Sequence, residues 1–312
     1  MTTLLLHHPS CVEHTPPEGH PERPDRMRAI EHILSSPHFD NLAREEAPLG
    51  DKEAVLMAHT PSQLQLIESI APDEGLERID EDTWMSPASL EVALRGVGAA
   101  IRAVDAVALR DADNAFCAMR PPGHHAESNR AMGFCLFNNA AIAAHHARDT
   151  YDLERIAVVD FDVHHGNGTQ EIFWADKDLF YGSTHQMPLY PGTGSKTETG
   201  EGNIFNAPLS NGDGSEAFRE AMTTTVLPAL DAFEPELVII SAGFDAHQAD
   251  PLGGLNLVEE DYVWITLRLM DAADKHADGR IISVLEGGYD LRALATSTGV
   301  HIQALMHGSG AT

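Results

Sequence analysis

Two carboxylates and an imidazole alternate along one short stretch, Asp160, Asp162 and His164, directly after the apolar run 157–159. The run reads as a buried parallel strand. A spacing of two puts all three polar side chains on one face of an extended chain. A buried face accepts such a set only if something compensates it, and a divalent metal would. Asp162 and His164 suit zinc or a similar ion, although Asp-x-Asp-x-His alone also fits a turn-capping cluster. A second strand end bears on that choice. Residues 237–245, LVIISAGFD, again run from apolar residues into a glycine and an acid, and Asp245 is a candidate third ligand. Three protein ligands leave one position open, the mark of a catalytic rather than a structural zinc.

Other strand ends carry further chemistry. His124 and His125 follow Pro121-Pro122-Gly123. A metal-bound water needs a base, and histidine is the usual one. Asp160 would orient one imidazole and stabilise its charge. In 286–290, Gly287 and Gly288 allow close backbone approach to a ligand, and Tyr289 offers a phenol donor to an oxyanion. Gly133-Phe134 and Tyr190 with its following glycines put aromatic rings on glycine loops, where they would line a pocket. The glycines of 192–202 neither follow a strand nor open a helix, so they are not a dinucleotide fingerprint.

The elements that must position these groups alternate. Strands are expected at 2–7, 43–47, 114–119, 157–159, 179–184, 204–207, 237–241 and 281–285. Helices are expected at 26–35, 62–70, 86–110, 138–148, 170–174, 216–227, 258–275 and 291–306, with Ser86-Pro87 as a helix start. This order predicts an α/β chain with a mostly parallel sheet between two helical layers, one domain over 1–312. The site would then lie at the carboxyl ends of the strands.

Composition narrows the function. Asp and Glu number 48 against 20 Lys and Arg, a net charge of −28. Such a balance fits solubility, adaptation to salt, or attraction of a cationic substrate. It argues against direct nucleic-acid binding, which needs a basic patch. No apolar run approaches the ~20 residues of a membrane span, and Leu4-Leu5-Leu6 lacks the length and basic flank of a signal peptide. The cysteines Cys11, Cys117 and Cys135 form no disulfide framework and point to a reducing, cytoplasmic setting. The sequence leaves a homo-oligomer open.

Taken together, GHPERPDR (19–26), RPPGHHA (120–126), GFCLFNN (133–139), VDFDVHHGNGTQ (159–170), YPGTG (190–194), SAGFDAH (241–247) and EGGYDL (286–291) resemble the histone deacetylase family. The resemblance covers nearly the whole chain and implies the arginase–deacetylase fold, an open sheet of about eight mainly parallel strands with helices on both sides. It implies Asp162, His164 and Asp245 as zinc ligands, His124 and His125 as the paired active-site histidines, and Tyr289 as the carbonyl-polarising tyrosine. Phe134 and Tyr190 match the walls of an acyl-lysine channel. Backbone carbonyls of Asp160, Asp162, His164, Ser183 and Thr184 match a potassium site. Arg23 matches an arginine near an internal acetate cavity, and Asp82 falls where some members anchor substrate backbone on the rim. Asn167 stands where some relatives place an aspartate beside the second histidine, so the two histidines would differ in charge. GNGTQ and AGFDAH are similar to the class II and bacterial branch. Leu252 aligns with the channel-mouth carboxylate of acetylpolyamine-preferring relatives and is apolar. The resemblance therefore implies a zinc amidohydrolase acting on an acetyl-lysine side chain. An acetylpolyamine amidohydrolase is the alternative on the same chemistry, and a non-catalytic acyl-ligand binding module or a dimetal arginase-type hydrolase the alternatives outside it.

Overall fold

The computed structural model describes residues 1–308; residues 309–312 of the expected domain lie outside the described residues. The strands, in chain order, are β1 (Thr3–His7), β2 (Ala43–Glu46), β3 (Glu77–Arg78), β4 (Trp84–Met85), β5 (Asn114–Ala118), β6 (Ile156–Asp160), β7 (Leu179–Gln186), β8 (Ile204–Leu209), β9 (Leu237–Ala242) and β10 (Ile281–Leu285). Eight of them form one sheet in the order β2-β1-β5-β10-β9-β6-β7-β8. Every pairing in it is parallel. The central strands β5, β10, β9 and β6 are buried along their whole length. That burial explains their near-continuous apolar sequences, because crossover helices cover both faces of a parallel sheet. Helix Leu291–His307 packs against both Asp25–Leu34 and Glu259–His276, and Ser89–Ala108 pairs with Asn139–Tyr151. Among the described residues, no helix is long and apolar enough to cross a membrane.

Strand order decides where the chemistry falls. β9 and β10, late in the chain, insert between β5 and β6. The four strands whose carboxyl ends carry 119–126, 286–289, 243–245 and 161–165 are therefore adjacent, and parallel pairing brings those ends out on one edge.

Three elements differ from expectation. Ser86-Pro87 does not start the long helix, which begins at Ser89. Ser86 is occupied elsewhere, its amide donating to Ser89 Oγ and its hydroxyl accepting from Thr15 N. The helix expected at 216–227 is broken into Ser215–Ala221, a wide π-helical turn Met222–Val226, and Leu227–Phe233. Pro228 has no amide proton for the Thr224 carbonyl, so the ladder must slip there. Residues 74–84, which hold no strand in the expected order, carry a short antiparallel ribbon, β3 against β4.

Candidate active site

β6 ends at Asp160, so Asp162 and His164 sit on the turn after it and not on an extended strand. What brings the three together is a ladder of local hydrogen bonds. Asp162 N donates to Asp160 Oδ1, and His164 N donates to Asp162 Oδ1. Asp245, from the turn after β9, accepts from Val163 N at 2.8 Å, and Asp162 accepts from Gly287 N at 2.8 Å. Backbone from two neighbouring strand ends thus fixes both carboxylates. A Cβ on Gly287 would overlap the Asp245 carboxylate, and one on Gly243 the Asp162 carboxylate. These glycines are required by close approach.

One donor atom each of Asp162, His164 and Asp245 lies within 4.8 Å of the others. His164 Nδ1 is 3.1 Å from Asp162 Oδ1 and 3.2 Å from Asp245 Oδ2. Burial and the charge of Asp162 push Asp245 up to about 7. Burial opposes charge on His164, yet Asp162 and Asp245 outweigh it and lift the imidazole to about 10. Two carboxylates and an imidazole in conflict over protons, converging and, among the described residues, reached by no Lys or Arg, are a donor set that fits one divalent cation.

The paired histidines have opposite surroundings. His124 Nδ1 donates to Asp160 Oδ2 at 3.0 Å, and Tyr181 OH donates to the same oxygen. Burial disfavours its charge, but Asp162 and Asp160 hold it well above the usual imidazole value. His125 Nδ1 donates to Asn167 Oδ1 at 2.8 Å. Burial and the neighbouring His124 charge hold His125 well below the usual value. Their ring centroids are 4.0 Å apart. Their surroundings thus push the two imidazoles in opposite directions, towards charge on His124 and away from it on His125.

A cavity of about 260 Å³ opens over these groups, lined by Asp82, His125, Gly133, Phe134, His164, Leu189, Tyr190, Leu252 and Tyr289. Gly133 and Phe134 both have positive φ, 59° and 69°. A bulky residue in that region is strained. Here it turns the Phe134 ring edge-on to Tyr289 at 5.8 Å. Tyr190 stands edge-on to His125 at 5.1 Å. Burial pushes the Tyr289 phenol up, so it stays a neutral donor, and its amide donates to Asp250 Oδ2.

The histone deacetylase domain family matches residues 20–305. This chain belongs to the histone deacetylase family. It is 39% identical to a histone deacetylase-like amidohydrolase of Pseudomonas aeruginosa, over 87% of this chain and 73% of that protein. It is 38% identical to a probable deacetylase of Archaeoglobus fulgidus, over 99% of this chain and 87% of that protein. It is 36% identical to type-2 histone deacetylase 2 of Dictyostelium discoideum, over 97% of this chain, and spans only 21% of that longer protein. The solved HD domain of HDA15 superposes with a TM-score of 0.93 at 35% identity, over 99% of this chain and 89% of that one. The eight-stranded sheet is the arginase–deacetylase fold of this family.

One expectation drawn from that family is corrected. Arg23 does not face an interior cavity; its side chain is 46% exposed and pairs with Asp25. The buried arginine of this segment is Arg26, one turn before Ile30 on the inward face of its helix. Arg26 Nε donates to Gly288 O at 2.7 Å, and the guanidinium lies 5.0 Å from the Tyr289 ring centre. Glu22 and Arg120, which the sequence did not single out, complete this floor. Arg120 grips Glu22 through Nε and Nη2, and Arg26 Nη1 reaches the same carboxylate. Glu286 was also missed. Its carboxylate accepts from Gly123 N at 2.7 Å and His124 N at 3.1 Å, tying the end of β10 to the histidine loop. An acid closing an apolar strand, the signal that marked Asp245, marks Glu286 too. His165 is turned away, bonded to Thr193 Oγ1 and Gln170 Oε1. Ser183 and Thr184 are buried on β7, with Ser183 in register with Asp160.

Proposed function

We propose that this chain is a zinc-dependent amidohydrolase that removes an acetyl group from the ε-amine of a lysine side chain. Asp162, His164 and Asp245 would hold one zinc ion, which supplies Lewis acidity to the amide carbonyl and acidifies water. The remaining work belongs to side chains. His125, neutral, takes the proton of the attacking water on Nε2 and returns it to the leaving amine. His124, an imidazolium backed by Asp160, steadies the negative charge that builds beside it. Tyr289 donates its hydroxyl proton in a hydrogen bond to the carbonyl oxygen as that oxygen gains charge. Arg26 holds the Gly288-Tyr289 backbone and ring in place. Phe134 and Tyr190 enclose the methylenes of the side chain, Leu252 faces them with an apolar surface, and Asp82 receives substrate backbone at the rim.

Two histidines 4.0 Å apart, one bonded to a carboxylate and one to an amide, beside a metal-ligand triad carry this reading. A potassium ion on carbonyls of Asp160, Asp162, His164, Ser183 and Thr184 is proposed alongside, supported by the register of Asp160 with Ser183. The catalytic unit is taken as one domain over 1–312, since the sheet draws strands from both ends of the chain. Three buried, unpaired cysteines support a reducing, cytoplasmic location.

A second reading, an acetylpolyamine amidohydrolase, draws on the net charge of −28, which would attract a polycation. Leu252 at the mouth favours the first, because it offers no carboxylate to a second amine. Rates on acetyl-lysine peptides, acetylspermidine and acetylputrescine separate them. A higher kcat/KM on the peptides supports the proposal, and a higher value on the polyamines replaces it with the alternative.

A further inference from the structure

We propose that Glu127, which touches no reacting group, sets the tautomer of His125 through the side-chain amide of Asn167. This rests on the reading of His125 as the base. Asn167 lies between the two residues, with Oδ1 2.8 Å from His125 Nδ1 and Nδ2 2.8 Å from Glu127 Oε1. The ends of an amide are not equivalent: the oxygen only accepts and the NH2 only donates. An ionised carboxylate only accepts. The end of Asn167 that faces Glu127 must therefore be NH2, and the Met132 thioether, a weak acceptor 3.4 Å from Nδ2, favours the same orientation. The carbonyl is left to face His125. It can be satisfied only by a proton on Nδ1, so the neutral ring keeps its lone pair on Nε2, where a base needs it.

Turned over, the amide would set its oxygen against the Glu127 carboxylate and its NH2 against His125 Nδ1. The proton would then move to Nε2 and the base would be lost. Glu127 is itself held in place. Its amide donates to Arg130 O at 2.9 Å, and its carbonyl accepts from His59 Nδ1 at 3.0 Å. His124 needs no such device, because both oxygens of its partner Asp160 accept. Where an amide replaces the carboxylate, a third residue has to give it a direction. Glu127 is a positioning residue.

The test uses zinc-loaded protein and two readouts. In 15N-histidine NMR of the native chain, with His125 assigned by its loss in His125→Gln, the Nδ1–H tautomer is expected. An Nε2–H tautomer in the native chain overturns the proposal. This readout needs no turnover, so it stands even if the protein hydrolyses no amide and the reading above fails. In kinetics, Glu127→Ala should lower kcat by about 10–100-fold, the usual effect of removing an orienting partner, with KM held within about twofold. In an Asn167→Asp background the same change should cost nothing further, since the introduced carboxylate accepts at both oxygens. Equal losses in the two backgrounds, or no loss in the native one, would assign Glu127 a packing role and overturn the proposal.

Discussion

The floor of the cavity and its mouth are built by different means. At the floor, His124, Asp162, Asp245 and Glu286 are all less than 3% exposed. Asp162, Asp245 and Glu286 are fixed by hydrogen bonds from backbone of another strand end, His124 by its own amide on the Glu286 carboxylate, and glycines at 243 and 287 leave no room for a side chain. At the mouth, Tyr190 is 38% exposed and Asp82 sits on a turn beside a two-residue ribbon. Asp82 is bonded to Thr83 and, through its carbonyl, to His20. The floor therefore fixes a reaction and the mouth a preference. Changes at the floor should act on kcat and metal content, and changes at the mouth on KM.

The largest effect is expected at the floor. Tyr289→Phe removes one oxyanion donor and should cost about 10²–10³ in kcat, or ~3–4 kcal/mol, with zinc content unchanged by metal analysis. A variant with near-native kcat would remove Tyr289 from the chemistry. Gly287→Ala forces a methyl against the Asp245 carboxylate. Zinc affinity, measured by competition with a chelator, should fall by about 10–100-fold. If it does not fall, the glycine is not there for close approach.

Acid tests the floor in another way. Burial holds His59, beside the histidine loop, down to about 4, and His301, under the sheet, down to about 3. The unfolded chain takes up protons at these positions below about pH 6.5, before the folded chain does. Their contribution to stability is complete above about pH 6.5 and declines below it, by on the order of 1 kcal/mol per pH unit for each, until it levels off near pH 4 for His59 and near 3 for His301. Urea midpoints between pH 7 and 5 should fall accordingly, and His301→Leu should flatten its share of the slope. A midpoint that does not change with pH would contradict this. The smallest effect is expected at the mouth. Asp82→Ala should raise KM for a peptide by about 3–10-fold with kcat intact, and steady-state rates on a short acetyl-lysine peptide check it.

The contrast also marks what could be read from the chain. Apolar runs ending in Gly and Asp located β6 and β9 and, with them, the ligand triad, because buried carboxylates at strand ends break a pattern that is otherwise continuous. The resemblance points to Arg23 by motif position alone. Helix phase would have corrected it, since Arg26 shares a stripe with Ile30 and Leu34. Arg120 reaches Glu22 from 98 positions away and Gly123 reaches Glu286 from 163, and the second pair meets only because β10 inserts beside β5. No local pattern encodes that. The ribbon of β3 and β4 has no alternation long enough to read, and only tertiary packing gives it a place.

The central claim is that one metal ion on Asp162, His164 and Asp245 makes this chain a lysine deacylase. Stepwise zinc titration of chelator-stripped protein, with rate on an acetyl-lysine peptide followed at each step, tests it directly. The account predicts that activity rises linearly and stops at one zinc per chain. Protein that takes up one zinc and binds a hydroxamate, yet hydrolyses no acyl-lysine at any point of the titration, would contradict it.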